Sequence, residues 1–388
     1  MQKTNKRKEY TMKRNAKGGG SIRQREDGTW EARCTINGKR RSFYADRQSD
    51  ALKAMRQALS AADNGTFTEP SKMTLQEWIG VWLNEYVKPF TKQSTYYSYK
   101  NTLERYVIPV LGKRKMASIN TTQIQIIYND MMMKKGLSNK TVRNLHGTLH
   151  KVFQQAVELN YLAVNPTTKC KQPKPDAKKI TPLEETDIEA FLSALEGHKY
   201  KSILTVTLFT GMRVGEVCGL PWDAVDFKRG TITIKQQLQR HEGTGEYIIE
   251  TPKHDKFRTI PAPPFVLDIL RNVGREQGLH HIENHFMWKN ENNLVFTNDD
   301  GSFINPRTLY KNYKKIVKQI GRPDARLHDL RHTYAVTALQ EGDDFKTLQD
   351  NLGHATAAFT LNVYGHVSEK MKQESANRME KYYQKVKA

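Results

Sequence analysis

The sequence predicts a multidomain protein: a small three-stranded β-sheet with one helix, then an all-α domain, then a mixed, mainly-α domain. At 388 residues the chain exceeds what one hydrophobic core usually organises. The pair Asn37-Gly38 lies between alternating segments and indicates a hairpin, because a type I′ turn needs positive φ at both central residues. Helical periodicity takes over at Leu75, and residues 167–179 interrupt it with linker composition.

The charge of the chain favours a polyanionic partner. Lys and Arg number 62 against 41 Asp and Glu, a net charge of +21. Clustered Lys and Arg displace the counterions that condense on nucleic acid. The three cysteines are far apart without a C-x-x-C pair, which is typical of reduced thiols. With no apolar run long enough to cross a bilayer and no secretory signal, we expect a cytoplasmic, nucleoid-associated protein without a membrane partner.

The first domain is predicted over residues 21–66, after a basic flexible arm at residues 1–20. Alternate residues of its middle strand, from Trp30 to Ile36, share one face, and a helix near residues 49–64 covers that face. The basic residues near the exposed face are Arg23, Arg25, Arg33, Lys39, Arg40 and Arg41. Because a ribbon of strands can enter the major groove, this face is a candidate DNA-binding surface, with a solvated charged face as the alternative.

The second domain is predicted as four helices over residues 74–166, one of them from Tyr96 to Val110, behind a linker at residues 67–73. Ser138 caps its last helix, in which an apolar stripe leaves polar residues on the other faces. The polar residues that we expect to face DNA are Lys140, Arg143, Asn144 and His146. A polar face that is merely solvated is the alternative.

The third domain is predicted over residues 180–368, and residues 369–388 form a helical tail. Within it the window from Ala325 to Val367 collects His-x-x-Arg-His, Gly-His and a Tyr followed by Gly-His. These groups make an incomplete phosphoryl-transfer site, because a phosphodiester under attack needs a nucleophile, proton donors and fixed positive charge.

Four residues of this window receive roles. His328 and Arg331 are three apart and share one face of a predicted helix, on which His332 points elsewhere. We expect Tyr364 to be the nucleophile and Arg331 to be a charge clamp. His328 and His354 are then the hydrogen-bonding or proton-transferring partners of the phosphate.

The missing arginine and lysine lie upstream. Arg213 is predicted in the first turn of a helix, beside amides suited to an anion, and Glu216 on the same face is placed to orient it. Lys253 is predicted in the turn of a hairpin, where it can donate a proton to a leaving oxygen, and Lys256 competes for this role. A surface ion pair and an ordinary turn lysine are the alternatives.

A zinc site is the alternative interpretation of the histidines. It would be built from His328, His332, His354 and His366. The nearby arginines argue against it, because a guanidinium group offers no ligand and repels a cation. We therefore expect no metal and no cofactor.

The ordered motifs TGMR-xx-E, PK-x(4)-R, HDLRH, LGH and YGH resemble those of the tyrosine recombinases, most of all the integrases of conjugative transposons. The N-terminal sheet resembles their arm-binding domain, and the helical domain their core-binding domain. The resemblance implies the basic catalytic set Arg213, Lys253, His328, Arg331 and His354, with Tyr364 as nucleophile and Glu216 as a supporting acid. His254 departs from the family pattern, which leaves Lys253 in competition with Lys256.

The resemblance also implies the activity and the partners. The enzyme would cleave and rejoin DNA through a 3′-phosphotyrosine intermediate, without metal or ATP, to integrate and excise a mobile element. Its partners would be double-stranded DNA at core and arm sites and further copies of the chain in a dimer or tetramer, with an excision accessory factor left open. The tail would dock on a neighbouring protomer or fold back on its own domain.

Two rival functions stay open on the sequence. A catalytically silent, sequence-specific DNA-binding protein would keep the fold, although the complete set of active-site residues speaks against it. A type IB topoisomerase would share the phosphotyrosine chemistry, but it has little use for a separate arm-binding domain.

Overall fold

The structure is a computed structural model, and it describes residues 20–63, 72–176, 181–252, 257–353 and 368–387. The chain forms two compact units that divide after Asp176. Among the described residues, no helix is both long enough and apolar enough to cross a membrane.

The first unit begins with a three-stranded antiparallel sheet in the order β1-β2-β3. Its strands are β1 (Ser21–Gln24), β2 (Trp30–Ile36) and β3 (Lys39–Ala45). Between β2 and β3, φ is 49° at Asn37 and 75° at Gly38. Both central residues of the turn are left-handed, which confirms the predicted hairpin.

Helix α1 (Gln48–Asp63) covers one face of this sheet. Ala32, Cys34 and Ile36 are buried there against Met55 of the helix. The packing face is therefore the predicted one, because the two-residue period of a strand brings every second side chain to it. The opposite face is exposed to solvent.

A helical domain follows, and a capping box between Thr74 and Glu77 starts its first helix. Its core surrounds Trp78, whose indole Nε1 donates to the carbonyl of Val152 at 2.9 Å. The helices are α2 (Leu75–Val81), which continues as a π-helical turn (Trp82–Val87), α3 (Gln93–Tyr106), α4 (Ile108–Leu111), α5 (Thr121–Met133) and α6 (Asn139–Glu158).

One predicted helix is divided in two. The sequence pattern predicts a continuous helix from Tyr96 to Val110, whereas the structure ends α3 at Tyr106 and begins α4 at Ile108. Pro109 explains the break, because it has no N–H and its ring clashes with the carbonyl four residues earlier in a continuing helix. In the first turn of α4 the missing donor costs nothing.

The predicted linker at residues 167–179 is in part packed on α5. Nε2 of Gln125 in α5 donates to the carbonyl of Lys171 at 3.2 Å. The amide of Lys171 donates to Oε1 of Gln125 at 2.8 Å. The Gln125 side chain of α5 thus supplies hydrogen-bond partners to the backbone of the linker. The linker up to Asp176 belongs to the first unit.

The second unit is mainly helical, with a region of short strands between its helices. Its hydrophobic core includes Phe191, Leu204, Val217 and Tyr313. The elements are α7 (Glu185–Ala194), α8 (Lys201–Thr210), α9 (Val214–Cys218), β4 (Val225–Asp226), β5 (Thr231–Ile234), β6 (Gln237–Arg240), β7 (Tyr247–Glu250), β8 (Arg258–Pro261), α10 (Pro264–Glu283), α11 (Pro306–Gln319), α12 (Asp329–Gln340), α13 (Phe345–Leu352) and α14 (Ser368–Lys387).

The strand pairing differs from the sequence prediction. The pattern predicts that β7 and β8 form one hairpin, whereas β7 pairs with β6 and β8 pairs with β5. Ile232 faces Ile260 in one sheet, and Leu238 faces Ile249 in the other. Apolar partners thus meet in each register, which is the usual determinant of pairing. The predicted hairpin turn is instead a connection between two sheets.

Helix α9 lies directly against β6, and two glycines permit this approach. A Cβ atom added to Gly219 would lie 2.5 Å from the backbone nitrogen of Leu238. One added to Gly215 would lie 2.8 Å from the carbonyl oxygen of the same residue. The packing of α9 on β6 therefore depends on the missing side chains.

Gly219→Ala is expected to lower the free energy of unfolding by about 2 kcal/mol, because backbone must move to admit the methyl group. Chemical denaturation of the full chain measures the change. Gly278→Ala is the matched control, since Gly278 lies in α10 with open space around it. That change should raise the stability by about 0.5–1 kcal/mol through helix propensity. A Gly219→Ala variant as stable as the parent would contradict the close packing.

Candidate active site

A buried carboxylate, Glu216, lies at the centre of the candidate site. It is 1% exposed, and its Oε2 accepts from the backbone amide of Arg213 at 2.8 Å. Its Oε1 accepts from Nη1 of Arg213 at 2.8 Å and from Nη1 of Arg258 at 2.9 Å. Nη2 of Arg258 donates to Oε2 at 2.6 Å. Burial alone raises the pKa of Glu216, but hydrogen bonding and charge from Arg258, with charge from Arg213, lower it to about 2.

This arrangement changes the prediction for Arg213. The residue is the N-cap of α9, with extended backbone, and does not lie in the first turn. Its amide is already bonded to Glu216, so the helix start holds an internal anion. The side chain remains 29% exposed and is thus available to a ligand. Glu216 orients Arg213, as the three-residue spacing predicts.

Arg258 is a residue whose role the sequence did not indicate. Its side chain is 9% exposed and makes the bidentate pair with Glu216. Its Nε donates to the carbonyl of Asn351 at 2.9 Å. Arg258 therefore connects β8, α9 and the end of α13, two residues before Gly353. The motif PK-x(4)-R contained the signal, because its second basic residue is Arg258.

Arg331 is buried below the surface of the site. It is 2% exposed, and its Nη1 donates to the carbonyl of Gly211 at 2.7 Å. Its Nη2 donates to the carbonyl of Leu352. Gly211 has φ of 62°, and Tyr334 fills the space that a Cβ would need. Arg331 thus joins the end of α8 to the end of α13.

Two histidines lie side by side at the start of α12. His328 is the N-cap residue and is solvent-exposed, and its ring lies 4.9 Å from that of His332 in an edge-on arrangement. The prediction that His332 points elsewhere is wrong, because residues four apart are neighbours on a helix. Surrounding protein and the charges of Arg331 and Arg213 lower the pKa of His328. Burial and His328 lower that of His332 to about 4.

A cleft of about 510 Å³ connects the exposed groups of the site. Arg213 and His328 both line it, and the charge of Arg213 contributes to the lowered pKa of His328. Two further arginines, Arg240 of β6 and Arg307 of α11, also line it. Glu242 adds one carboxylate to the lining, but the three arginines outnumber it, and a positive excess suits a nucleic-acid backbone.

Some predicted site residues lie outside the described residues. These are Lys253, its competitor Lys256, His354 and Tyr364. His366, the last histidine of the zinc alternative, also lies outside them. The structure brings together Arg213, Glu216, His328 and Arg331 and adds Arg258 and His332 to them.

Two family models match the chain. The phage integrase family matches residues 182–371, and the N-terminal SAM-like domain of phage integrases matches residues 74–132. A tyrosine recombinase XerC-like protein of Caldanaerobacter subterraneus is 31% identical over 87% of this chain and 90% of its own length. The chain belongs to the phage integrase family of tyrosine recombinases. It is a site-specific DNA recombinase, an enzyme that cleaves and rejoins DNA strands in the integration of mobile elements.

Other relatives of this recombinase agree. The ICEBs1 integrase of Bacillus subtilis is 24% identical over 75% of this chain and 78% of its own length. The Tn1549 transposon integrase, solved in complex with a circular intermediate DNA, has a TM-score of 0.67 at 24% identity. That match covers 79% of this chain and all of the solved chain, and it confirms the predicted fold class.

The strand alternation divides the basic residues predicted for the recombinase's N-terminal sheet between its two faces. Arg33 alternates with Glu31 and Thr35 on the exposed face of β2. Arg23 is the register partner of Glu31 and Arg40 that of Thr35, so all three arginines share this face. Lys39 and Arg41 alternate onto the face that α1 covers, which corrects their assignment to the open side. Arg25 follows β1, and its guanidinium lies 5.4 Å from the ring centre of Tyr44.

The four residues predicted on α6 do not form one surface. Lys140 and Asn144 are exposed, while Nη1 of Arg143 donates to the carbonyl of Pro173 at 3.1 Å. His146 is buried, 3.1 Å from the hydroxyl of Tyr128, so it is not available to DNA. The apolar stripe includes position 146, because that position lies four residues after a core valine.

Proposed function

We propose that this recombinase integrates and excises a mobile element through a 3′-phosphotyrosine bond formed by Tyr364. The observation that carries the proposal is the cleft, in which Arg213 and His328 meet beside the buried Arg331. Fixed guanidinium groups suit the charge that develops on the equatorial oxygens of a phosphodiester under attack. The family membership supplies the reaction class.

The proposed steps follow from this arrangement. The Tyr364 hydroxyl gives its proton to the neutral His328 as its oxygen attacks phosphorus. A bond from that oxygen to phosphorus forms, and the bond to the 5′ oxygen breaks. Lys253 or Lys256 gives its proton to the leaving 5′ oxygen. His328 and His354 hold or transfer protons at the phosphate. Because the covalent bond keeps the phosphodiester energy, a 5′ hydroxyl of a partner strand can reseal it without ATP or metal.

The buried ions have a positioning role in this scheme. Glu216 is ionised at neutral pH, since its pKa is about 2, and it holds Arg213 against α9. Arg331 acts from below the surface, and its charge is close enough to lower the pKa of His328. A largely neutral His328 accepts a proton more readily than it donates one, so we assign the leaving-group acid to a lysine.

The test is incubation of the full chain with a nicked suicide substrate that carries the core site. We expect a denaturant-resistant protein–DNA adduct, and mass spectrometry of the digested adduct should place the nucleotide on the peptide containing Tyr364. Modification of Tyr382 or Tyr383 instead would overturn the assignment. Absence of an adduct on a verified site would favour the silent DNA-binding protein, and relaxation of supercoiled DNA without strand exchange would favour the topoisomerase.

We also propose that the recombinase assembles as a dimer or tetramer on core and arm DNA in the nucleoid. The Tn1549 integrase and the lambda integrase were solved on DNA, the latter as a dimer and as a tetramer on a Holliday junction. An accessory factor for excision stays an expectation from the resemblance.

The C-terminal helix α14 supports assembly through a neighbouring protomer. Its side chains Met379, Tyr382 and Val386 are 62–67% exposed and lie at helical spacing, so this apolar stripe is not covered by its own unit as described. A chain ending at Ser368 is expected to bind DNA as a single protomer, which native electrophoresis can measure. Unchanged multimer formation by that chain would contradict docking in trans.

A further inference from the structure

The exposed face of the N-terminal sheet contains a buried acid among its arginines. Glu31 lies in the central strand, opposite Arg23 of β1 and Tyr44 of β3. Its side chain is 1% exposed, although the domain is small and the face is otherwise open. A carboxylate at this position repels DNA phosphates, so its presence does not serve general affinity for DNA.

Glu31 holds two arginines through the same atom of each. Nε of Arg23 donates to Oε2 at 2.7 Å, and Nε of Arg33 donates to Oε1 at 2.7 Å. The hydroxyl of Tyr44 adds a bond to Oε1 at 3.0 Å. Hydrogen bonds from Arg33 and Arg23 outweigh burial and hold the pKa of Glu31 well below its usual range. The carboxylate therefore stays charged at neutral pH.

The two ion pairs with Glu31 do not occupy the outer edges of the guanidinium groups. Because the bonds to Glu31 use Nε, the Nη nitrogens of Arg23 and Arg33 are not consumed by them. The Arg23 side chain is 59% exposed and that of Arg33 is 29% exposed. Glu31 thus holds two guanidinium groups whose Nη nitrogens lie on the exposed face of the sheet. Arginine reads guanine with two donors directed at its O6 and N7 atoms.

We propose that Glu31 is a positioning residue that fixes Arg23 and Arg33 to read guanines in the major groove of a DNA duplex. Ordering a free arginine side chain on binding is unfavourable, and an anchored side chain avoids most of that loss. Glu31 therefore raises the preference for one DNA sequence over others, although its negative charge cancels one positive charge on this face. This inference rests on the proposed function, because it concerns how the recombinase recognises its arm DNA.

The experiment uses the full chain and two duplexes of equal length. The specific duplex is one that the parent chain enriches from a random pool and the Arg23→Ala/Arg33→Ala variant does not. The second duplex is a scrambled version of it. Failure to enrich any such duplex would overturn the proposal, because Arg23 and Arg33 would then not contribute to sequence-specific binding.

Glu31→Gln is expected to weaken binding to the specific duplex about tenfold, the scale of one bidentate arginine–guanine contact. Its affinity for the scrambled duplex should stay unchanged or rise, because a negative charge is lost. Glu26→Gln is the matched control, an exposed acid of the β1–β2 turn with the same charge change. It should not reduce specific binding. If both variants instead gain the same affinity for both duplexes, Glu31 acts only through its charge, and the proposal is overturned.

A second measurement separates positioning from a merely structural role. Replacing the contacted guanines by 7-deazaguanine removes the N7 acceptors and should weaken binding of the parent chain. Glu31→Gln should then lose little further, since both changes disrupt the same contacts. If the two changes weaken binding by independent factors that multiply, they act on different contacts, and the proposal is overturned.

Folding and the proposed function are monitored separately. Glu31→Gln should form the covalent adduct on the nicked core-site substrate as the parent does, which shows that the second unit is folded. Its retained affinity for the scrambled duplex shows that the N-terminal sheet still binds DNA. If Glu31→Gln does not fold, Arg33→Lys keeps the charge but not the fork, and the same tenfold specific loss is expected. Absence of an adduct with the parent chain would reject the proposed chemistry without bearing on the duplex-binding result.

Discussion

Replacing Tyr364 with phenylalanine is expected to abolish the covalent adduct and to reduce strand cleavage by about 10³-fold or more, because the change removes the oxygen that we propose as the nucleophile. DNA binding should change little, since one hydroxyl contributes little to an interface dominated by phosphate contacts. Gel electrophoresis under denaturing conditions measures the adduct, and a mobility shift measures the binding.

Tyr382→Phe is the matched control for this change. Tyr382 lies on α14 in the same unit and is 62% exposed, so its loss should leave both the adduct and the binding unchanged. An adduct that persists in Tyr364→Phe and disappears in Tyr382→Phe would move the nucleophile to the tail.

Arg258→Met is expected to lower the free energy of unfolding by about 3–5 kcal/mol, because it leaves the buried carboxylate of Glu216 without its bidentate partner. Cleavage should fall by about 10²-fold in the folded fraction, since Glu216 then no longer holds Arg213 in place. Denaturation of the full chain and single-turnover cleavage at saturating protein measure the two effects. Arg271→Met is the control, because Arg271 forms an exposed pair with Asp268 whose loss should cost less than about 1 kcal/mol.

The pH dependence of the Arg258→Met effect has a definite sign. The pKa of Glu216 is about 2 in the folded chain, below the ordinary value of about 4.3. Its ionised form therefore stabilises the fold above pH of about 4.3, and this contribution is lost as the pH falls through 2. The stability difference between the parent and Arg258→Met should be largest near neutral pH and shrink on acidification. A difference that does not depend on pH would show that lost packing, and not the ion pair, causes the effect.

Much of the fold and part of the site follow from local patterns. The Asn37-Gly38 pair predicts its hairpin because the turn needs those two residues and little else. The spacing of Arg213 and Glu216 predicts their contact because residues three apart meet at a helix start. The predictions for His146 and His332 are wrong although the same local rule applies to both. His146 lies four residues after Val142 and His332 four residues after His328, and such pairs share a helix face.

Other features have no local signal. β7 and β8 are adjacent along the chain, yet each pairs with a different strand. Apolar residues face each other in both observed pairings, and this match involves strands that are distant in sequence. The burial of Glu31 on an otherwise exposed face depends on side chains from three strands that close over it.

The sequence by itself determined the class of domains and the chemical groups of the site, because periodicity, turn residues and motif order are local properties of the chain. The tertiary structure alone decided how those groups are held. Glu216 lies 42 residues from Arg258, and Arg331 lies 120 residues from the Gly211 carbonyl that it binds. Contacts of this length form only when the core closes, and burial then determines which charges are paired and which remain exposed to DNA.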